Sequence, residues 1–378
     1  MRTARSPPDR RPDRPGPAGV RQAGPVSGRN PVEDLRRIAF LLERTLGSSY
    51  RVKAFRTAAA ALSALPADDV RLLAESGGLR SVKGIGERTA TVVEESVAGG
   101  LPGYLADLEA TAAAPLASGG QAMRAALRGD LHLHSDWSDG GSPIEEMART
   151  ARELGHGYAA LTDHSPRLTV ARGLTPERLR RQLGVVAGLT DEIAPMRLLT
   201  GIEVDVLSDG GLDQEPELLA ELDIVVASVH SELKMPADAM TRRMIAAVRN
   251  PHTDVLGHCT GRYVIDRQFA GQTRSGKARP ESSFDAAAVF AACAEAGVAV
   301  EINSRPERLD PPLRLIRLAV QAGCLFSIDT DAHAPGQLDW QELGCERAEK
   351  CGVDPASVVN TWPVEDLLAW TADHRHRP

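Results

Sequence analysis

Beyond Gly129 the chain repeats one pattern seven times: a short apolar run, a polar residue at its end, then an amphipathic stretch. The runs span 131–134, 158–162, 198–206, 224–229, 255–257, 298–302 and 325–328. Helix-like stretches lie between them, among them 143–154, 176–192, 284–296 and 313–322. Strands that alternate with helices pair in parallel, because each crossover returns the chain to the same end of the sheet. Seven or eight such units in about 240 residues fit a barrel better than an open sheet. The expected class is therefore α/β, a (β/α) barrel.

Parallel barrels gather their chemistry at the C-terminal ends of their strands, and here those ends are rich in metal-ligand types. They read Asp130-Leu-His132-Leu-His134 with Asp139 following, Asp163-His164, Glu203-Val-Asp205, His230, His258, and Asp331-Ala-His333. Strand alternation puts His132 and His134 on one side, as a chelating pair requires. Eight of the ten histidines fall between Gly129 and His333, and six of those eight end strands. Six imidazoles with Asp139, Glu203 and Asp331 exceed the needs of one tetrahedral zinc. They suit two or three divalent ions with bridging carboxylates, and mixed N/O donors fit Mn, Zn or Fe alike. His156 and His252 fall outside the pattern, while His374 and His376 read as part of a frayed C-terminus.

The front of the chain differs. Residues 1–29 are dense in Pro, Gly and Arg and cannot bury a core, so a disordered tail is expected. Asn30 before Pro31 is a helix start, and helical patterning then continues to about residue 110. Within it, Lys83-Gly84-Ile85-Gly86-Glu87-Arg88 offers a glycine turn whose amides and following helix can approach a phosphate. Residues 111–128 read as a linker with one helical turn. The net charge of −7 is unevenly spread, with a basic front before an acidic body, and an acidic body repels nucleic acid unless cations reverse the local field.

The motifs GDLHLHSDWSDG, ALTDHS, GIEVDVL, VASVHS, LGHCTGR, EINSRPERLD and IDTDAHA resemble the polymerase-and-histidinol-phosphatase (PHP) domain. More closely, they are similar to the version at the C-terminus of bacterial family X DNA polymerases. The resemblance covers residues 129–370 and implies a distorted seven-stranded barrel with three metal ions. By it, His132, His134, Glu203 and Asp331 would hold one ion. Glu203 would bridge to a second on His230 and His258, and Asp139, His164 and His333 would hold the third. NPVEDLRRIAFLLE, YRVKAFRTAAAAL and VKGIGERTA are similar to the helix-hairpin-helix DNA-binding domain of the same polymerases, with Lys83, Gly84, Gly86, Arg88 and Arg56 as its DNA contacts. The division is thus a tail to residue 29, a helix-hairpin-helix domain over 30–110, a linker over 111–128 and a metal-dependent phosphoesterase domain over 129–372.

Two departures from those polymerases matter. Only the linker stands where their polymerase core would be, so polymerisation is not expected. The position of their Schiff-base lysine holds Val92, with Phe55 at the supporting tyrosine, and an apolar side chain cannot form an imine. The expected activity is hydrolysis of DNA phosphoesters in repair: by resemblance a 3′–5′ exonuclease, with AP endonuclease or 3′-phosphatase action as variants. Arg172, Arg262 and Arg305 follow strand ends and are expected to clamp phosphate beside Glu203. Asp163 and Asp205 would orient ligands or relay protons. A flexible linker would raise the concentration of bound DNA at the barrel. The rival readings are a small-molecule phosphomonoesterase of histidinol-phosphatase type and a non-catalytic DNA-binding scaffold. No run of about 18 apolar residues signals a membrane span. Five cysteines without paired spacing read as buried thiols in a reducing cytoplasm. The sequence singles out DNA as partner and points to no protein partner.

Overall fold

The computed structural model describes residues 28–264 and 278–375. Residues 1–27 of the expected tail over 1–29, and His376, lie outside them. Asn30 accepts from the Val32 and Glu33 amides, and Pro31 opens α1 (Pro31–Arg44). Arg29, assigned to the tail by composition, instead pairs with Asp34 at 2.6 Å. Next come α2 (Ser49–Ser63), α3 (Ala67–Glu75), α4 (Glu87–Val97) and α5 (Gly103–Ala112). Leu35, Ile38, Leu42, Phe55, Leu62 and Val93 form their common core, which is distinct from that of the barrel. Between α3 and α4 the chain turns through Gly84 at φ +101°, where a Cβ would also stand 2.8 Å from Thr57 Cγ2. Only glycine satisfies both conditions.

After α6 (Gln121–Ala126), seven strands appear in chain order: β1 (Gly129–Leu133), β2 (Tyr158–Leu161), β3 (Arg197–Asp205), β4 (Ile224–Ser228), β5 (Val255–Leu256), β6 (Ala299–Asn303) and β7 (Phe326–Asp329). Every neighbouring pair is parallel, and the apolar runs located them to within about two residues. All but β3 are buried along their whole length, which is why they read as continuous apolar runs instead of alternating ones. The crossovers carry α7 (Ile144–Glu153), α8 (Pro176–Gly188), α9 (Thr190–Ile193), α10 (Pro216–Leu219), α11 (Ala237–Val248), α12 (Ala286–Ala296) and α13 (Leu313–Gln321); α14 (Gln341–Cys351) and α15 (Val364–Arg375) end the described chain.

A single parallel bridge, Leu133 to Ala332, brings β7 back to β1. Below it the seam is closed by side-chain amides in place of a backbone ladder. Asn360 accepts from the Ile328 amide and donates to Asp329, while Gln341 donates to the Gly129 and Ile328 carbonyls. The C-terminus is not frayed at His374. That ring is buried, 3.0 Å from Asp254 and 3.0 Å from the Gly297 carbonyl. Trp370 donates to the same carbonyl, so α15 is held by polar anchors that a tail-like composition conceals. All five cysteines are buried free thiols, as expected.

The two domains are packed together, and the connecting segment is pinned, contrary to the expected flexible linker. Leu116, Ser118 and Gly120 donate their amides to Glu342, Glu346 and Glu349 on one face of α14. On α1, Glu43 accepts from the Gly336 amide at 2.8 Å, and Trp340, wholly buried, donates to the Arg44 carbonyl at 2.9 Å. Arg56 of α2 reaches Glu43 at 2.6 Å and Glu146 of α7 at 2.7 Å.

Candidate metal centre

Glu203, near the end of β3 and 1% exposed, is the hub. Its Oε2 stands 3.4 Å from His132 Nε2, 3.6 Å from His134 Nε2 and 2.8 Å from His164 Nδ1. Its Oε1 stands 3.2 Å from His230 Nε2 and 2.7 Å from His258 Nε2. Each carboxylate oxygen thus faces its own group of imidazoles, the geometry of a bridging ligand. Asp331 Oδ1 lies 3.4 Å from His134 Nε2. Asp139 Oδ1 lies 3.5 Å from His164 Nε2 and 3.2 Å from His333 Nε2. Three groups are close enough to hold an ion: His132, His134 and Glu203; His164, Glu203 and His230; and His134, Asp139, His164 and His333. All nine residues expected from strand ends therefore meet at one mouth.

The donor set fits divalent metal. The buried atoms His132 Nε2, both ring nitrogens of His134, and His230 Nε2 lack a hydrogen-bond partner among the described residues. Buried polar atoms are normally satisfied, so several orphans converging on one carboxylate point to a ligand. Burial lowers His134 and His258 to about 3, which keeps both rings neutral with lone pairs available. Burial opposes charge on His230 too, but Glu203 and Asp205 overcome it and raise the ring to about 9. Burial likewise disfavours charge on Glu203, yet His230, His164 and His132 hold its carboxyl well below the usual range.

Outer partners orient the candidate ligands, and three of them, Glu301, Asn303 and Arg308, lie on β6 or in the loop after it, which the strand-end pattern passed over. Glu301 Oε1 is 2.6 Å from His132 Nδ1, which turns Nε2 toward Glu203. Its other oxygen accepts from the His258 amide. Asp331, at φ +53°, receives Arg308 Nε at 2.9 Å and Asn303 Nδ2 at 3.2 Å on its Oδ2. A left-handed conformation outside glycine is costly and persists where the surroundings enforce it. The signal for Glu301 was available: an acid inside the apolar run Ala299-Val-Glu-Ile-Asn303 has to be paired. Asp163 accepts from Ser135, Ser138 and Gln182, which ties the end of β2 to the loop carrying Asp139. Asp205 accepts from the His230 amide at 3.1 Å and lies 3.4 Å from its Nδ1, an orienting role.

The three expected arginine clamps separate. Arg305 reaches the centre, its Nη1 3.0 Å from His333 Nδ1. Arg262 does not: its guanidinium braces the Arg308 and Leu309 carbonyls. Arg172 is exposed at φ +58°, and among the described residues no side-chain hydrogen bond or ion pair ties it to the candidate ligands. Arg308 was missed because it lies three residues beyond the strand-end positions inspected. In the front domain, Lys83, Gly84, Gly86 and Arg88 share one exposed turn, with the Arg88 guanidinium 5.1 Å above the Tyr104 ring. Arg56 departs from that expectation: its side chain is 11% exposed and fully engaged by Glu43 and Glu146. Val92 is buried in the helical core, and Phe55 stacks on Tyr104 at 5.4 Å.

The PHP domain family matches residues 130–305, and a helix-hairpin-helix domain family matches residues 29–101. The DNA polymerase/3′-5′ exonuclease PolX of Bacillus subtilis is 37% identical over 244 residues, 65% of this chain and 41% of that protein. The chain thus spans less than half the length of that relative. A probable phosphatase of Thermoanaerobacter is 27% identical over 61% of this chain and 89% of its own length. Among solved structures, histidinol phosphate phosphatase of Lactococcus lactis aligns with a TM-score of 0.40 at 18% identity, over 60% of this chain and 94% of that one.

Proposed function

Because the chain joins a PHP domain to a helix-hairpin-helix domain, we propose that it is a metal-dependent phosphoesterase that acts on DNA as a 3′–5′ exonuclease in repair. The observation that carries the hydrolase reading is Glu203, whose two oxygens face separate imidazole groups within one buried mouth. Two or three ions of the Mn, Zn or Fe type suit this donor set. His132, His134, Glu203 and Asp331 would hold one, Glu203, His230 and His258 a second, and Asp139, His164 and His333 a third. When bound, such ions supply charge to phosphoryl oxygens and lower the pKa of water toward neutrality.

The protein groups do the rest. Glu301, Asp205 and the Arg308–Asn303 pair fix the ligand orientations, so little reorganisation accompanies reaction. Arg305, partly exposed beside His333, is the group suited to receive a non-bridging phosphate oxygen. The turn at Lys83–Arg88 supports the choice of DNA as substrate, since its amides and cations suit a phosphate backbone. Loss of a lysine at Val92 argues against lyase action.

The test uses a 5′-labelled duplex with a recessed 3′ end, incubated with Mn²⁺ and with EDTA. A Mn²⁺-dependent ladder shortening from the 3′ end, absent in His132→Ala and Asp331→Ala, is the expected result. Intact DNA together with rapid hydrolysis of p-nitrophenyl phosphate would favour the second reading, a small-molecule phosphomonoesterase. The near full-length alignment of the probable phosphatase supports that alternative.

A further inference from the structure

We infer that the cleft between α2 and the barrel mouth is a track for the single-stranded end of a nucleic acid, with Tyr50 as a base-stacking platform and Arg51 and Lys53 as phosphate contacts. This rests on the DNA phosphoesterase reading and names how the front domain would serve the centre. The cleft encloses about 1670 Å³, well above the roughly 300–1,000 Å³ of small-molecule sites. Its barrel wall includes Asp139, His333 and Arg305, and its other wall is the corner between α1 and α2. The metal centre therefore opens onto a groove half built by the helical domain.

Three observations select a nucleic-acid strand as occupant. The first is charge. Arg36, Arg56 and Arg149 in the cleft are engaged by Glu33, Glu43 or Glu146, but among the described residues no carboxylate pairs with Arg51 or Lys53. Both are exposed, and Arg51 is held toward Tyr104, its Nη1 3.2 Å from that hydroxyl. The second is apolar exposure. Tyr50 is 82% and Val170 90% exposed, the two most exposed of the large apolar side chains among the described residues, and they line the same cleft from opposite domains. An exposed aromatic among unpaired cations is the combination that holds single strands, because every base offers a face for stacking.

The third is continuity. Thr57 lines the cleft and lies directly behind Gly84 of the hairpin turn, while Arg51 donates to the Tyr104 hydroxyl and Arg88 lies over the same ring. A strand leaving the hairpin would pass Arg51 and Lys53 before it reached Asp139 and His333.

The experiment measures binding of a fluorescent oligo-dT 12-mer to full-length, metal-loaded protein by anisotropy across a salt series, beside hydrolysis of thymidine 5′-(p-nitrophenyl phosphate), which is too short to span the cleft. Tyr50→Ala should weaken oligonucleotide binding about tenfold, the loss of roughly one stacked base, while Tyr50→Phe retains it. Joint Arg51→Ala and Lys53→Ala should reduce the salt slope by about 1.4, the value for two single-strand phosphates. Unchanged affinity in Tyr50→Ala with an unchanged slope in the double variant overturns the inference. Wild-type protein that cleaves the ester but binds no oligonucleotide also overturns it and leaves the phosphoesterase reading intact. Tight oligonucleotide binding without hydrolysis of ester or DNA does the reverse.

Discussion

The metal centre and the seam between the two domains are both buried clusters of charge, and they are built on opposite principles. At the seam every charge is answered: Arg56 donates to Glu43 and Glu146, and Glu43 also takes the Gly336 amide. At the centre, imidazole nitrogens crowd around Glu203 with donor atoms left over. Burying a charge is tolerable only when it is paired, so a satisfied cluster reads as architecture and an unsatisfied one as a place for a ligand. The difference also explains why Arg56, a plausible DNA contact from its position in the motif, is an interface residue.

The largest expected effect tests the centre. Glu203→Gln keeps the shape of the hub and removes its charge, and should cut phosphoester hydrolysis by about 10³-fold or more, since the charge stabilisation at such a site amounts to several kcal/mol. Bound metal, measured by atomic emission, should fall in parallel while the circular dichroism spectrum stays native. Activity within tenfold of wild type would break the contrast at once.

The seam should answer in stability. Arg56→Ala strands Glu43, whose side chain is 3% exposed, and removing one partner of a buried pair costs about 3–5 kcal/mol. Chemical denaturation should show that loss, and Glu43→Gln made together with Arg56→Met should recover much of it. Metal content per folded chain should not change. A smaller effect separates the regions by linkage. Mn²⁺ at a hundredfold excess over its Kd should stabilise wild type by about 2.7 kcal/mol. The same increment should appear in Arg56→Ala and vanish in Glu203→Gln, as read from melting curves with and without EDTA.

The legibility of the two regions followed the same division. The convergence of the candidate ligands was visible because metal chemistry restricts residue types and a parallel barrel brings the ends of scattered strands to one mouth. Glu301 and Arg308 escaped because nothing about a strand-embedded acid or a loop arginine announces which ligand it supports. Arg262 follows a strand end as a clamp would, but its guanidinium is taken by the Arg308 and Leu309 carbonyls. The docking of the helical domain was not legible at all. Arg56 and Glu146 are 90 positions apart, and no local pattern links them. The linker looked flexible from its small residues, yet three glutamates on α14 accept its amides. The buried His374 shows the same limit, since its partners Asp254 and Gly297 are remote in sequence.

The smallest expected effect asks whether the hairpin is a third kind of charged region, neither seam nor centre. Lys83 is exposed and stands next to the Gly84 turn. Lys83→Ala should therefore shift stability by no more than about 0.5 kcal/mol. If the turn holds a duplex phosphate, the same substitution should reduce the slope of log affinity against log salt by about 0.9, without altering metal content. An exposed charge that stabilises nothing in the free protein and still sets a salt slope is positioned for a partner outside the chain. A slope equal to wild type would leave Lys83 as ordinary surface and would rest the turn's hold on DNA on Arg88 and the Gly84 and Gly86 amides.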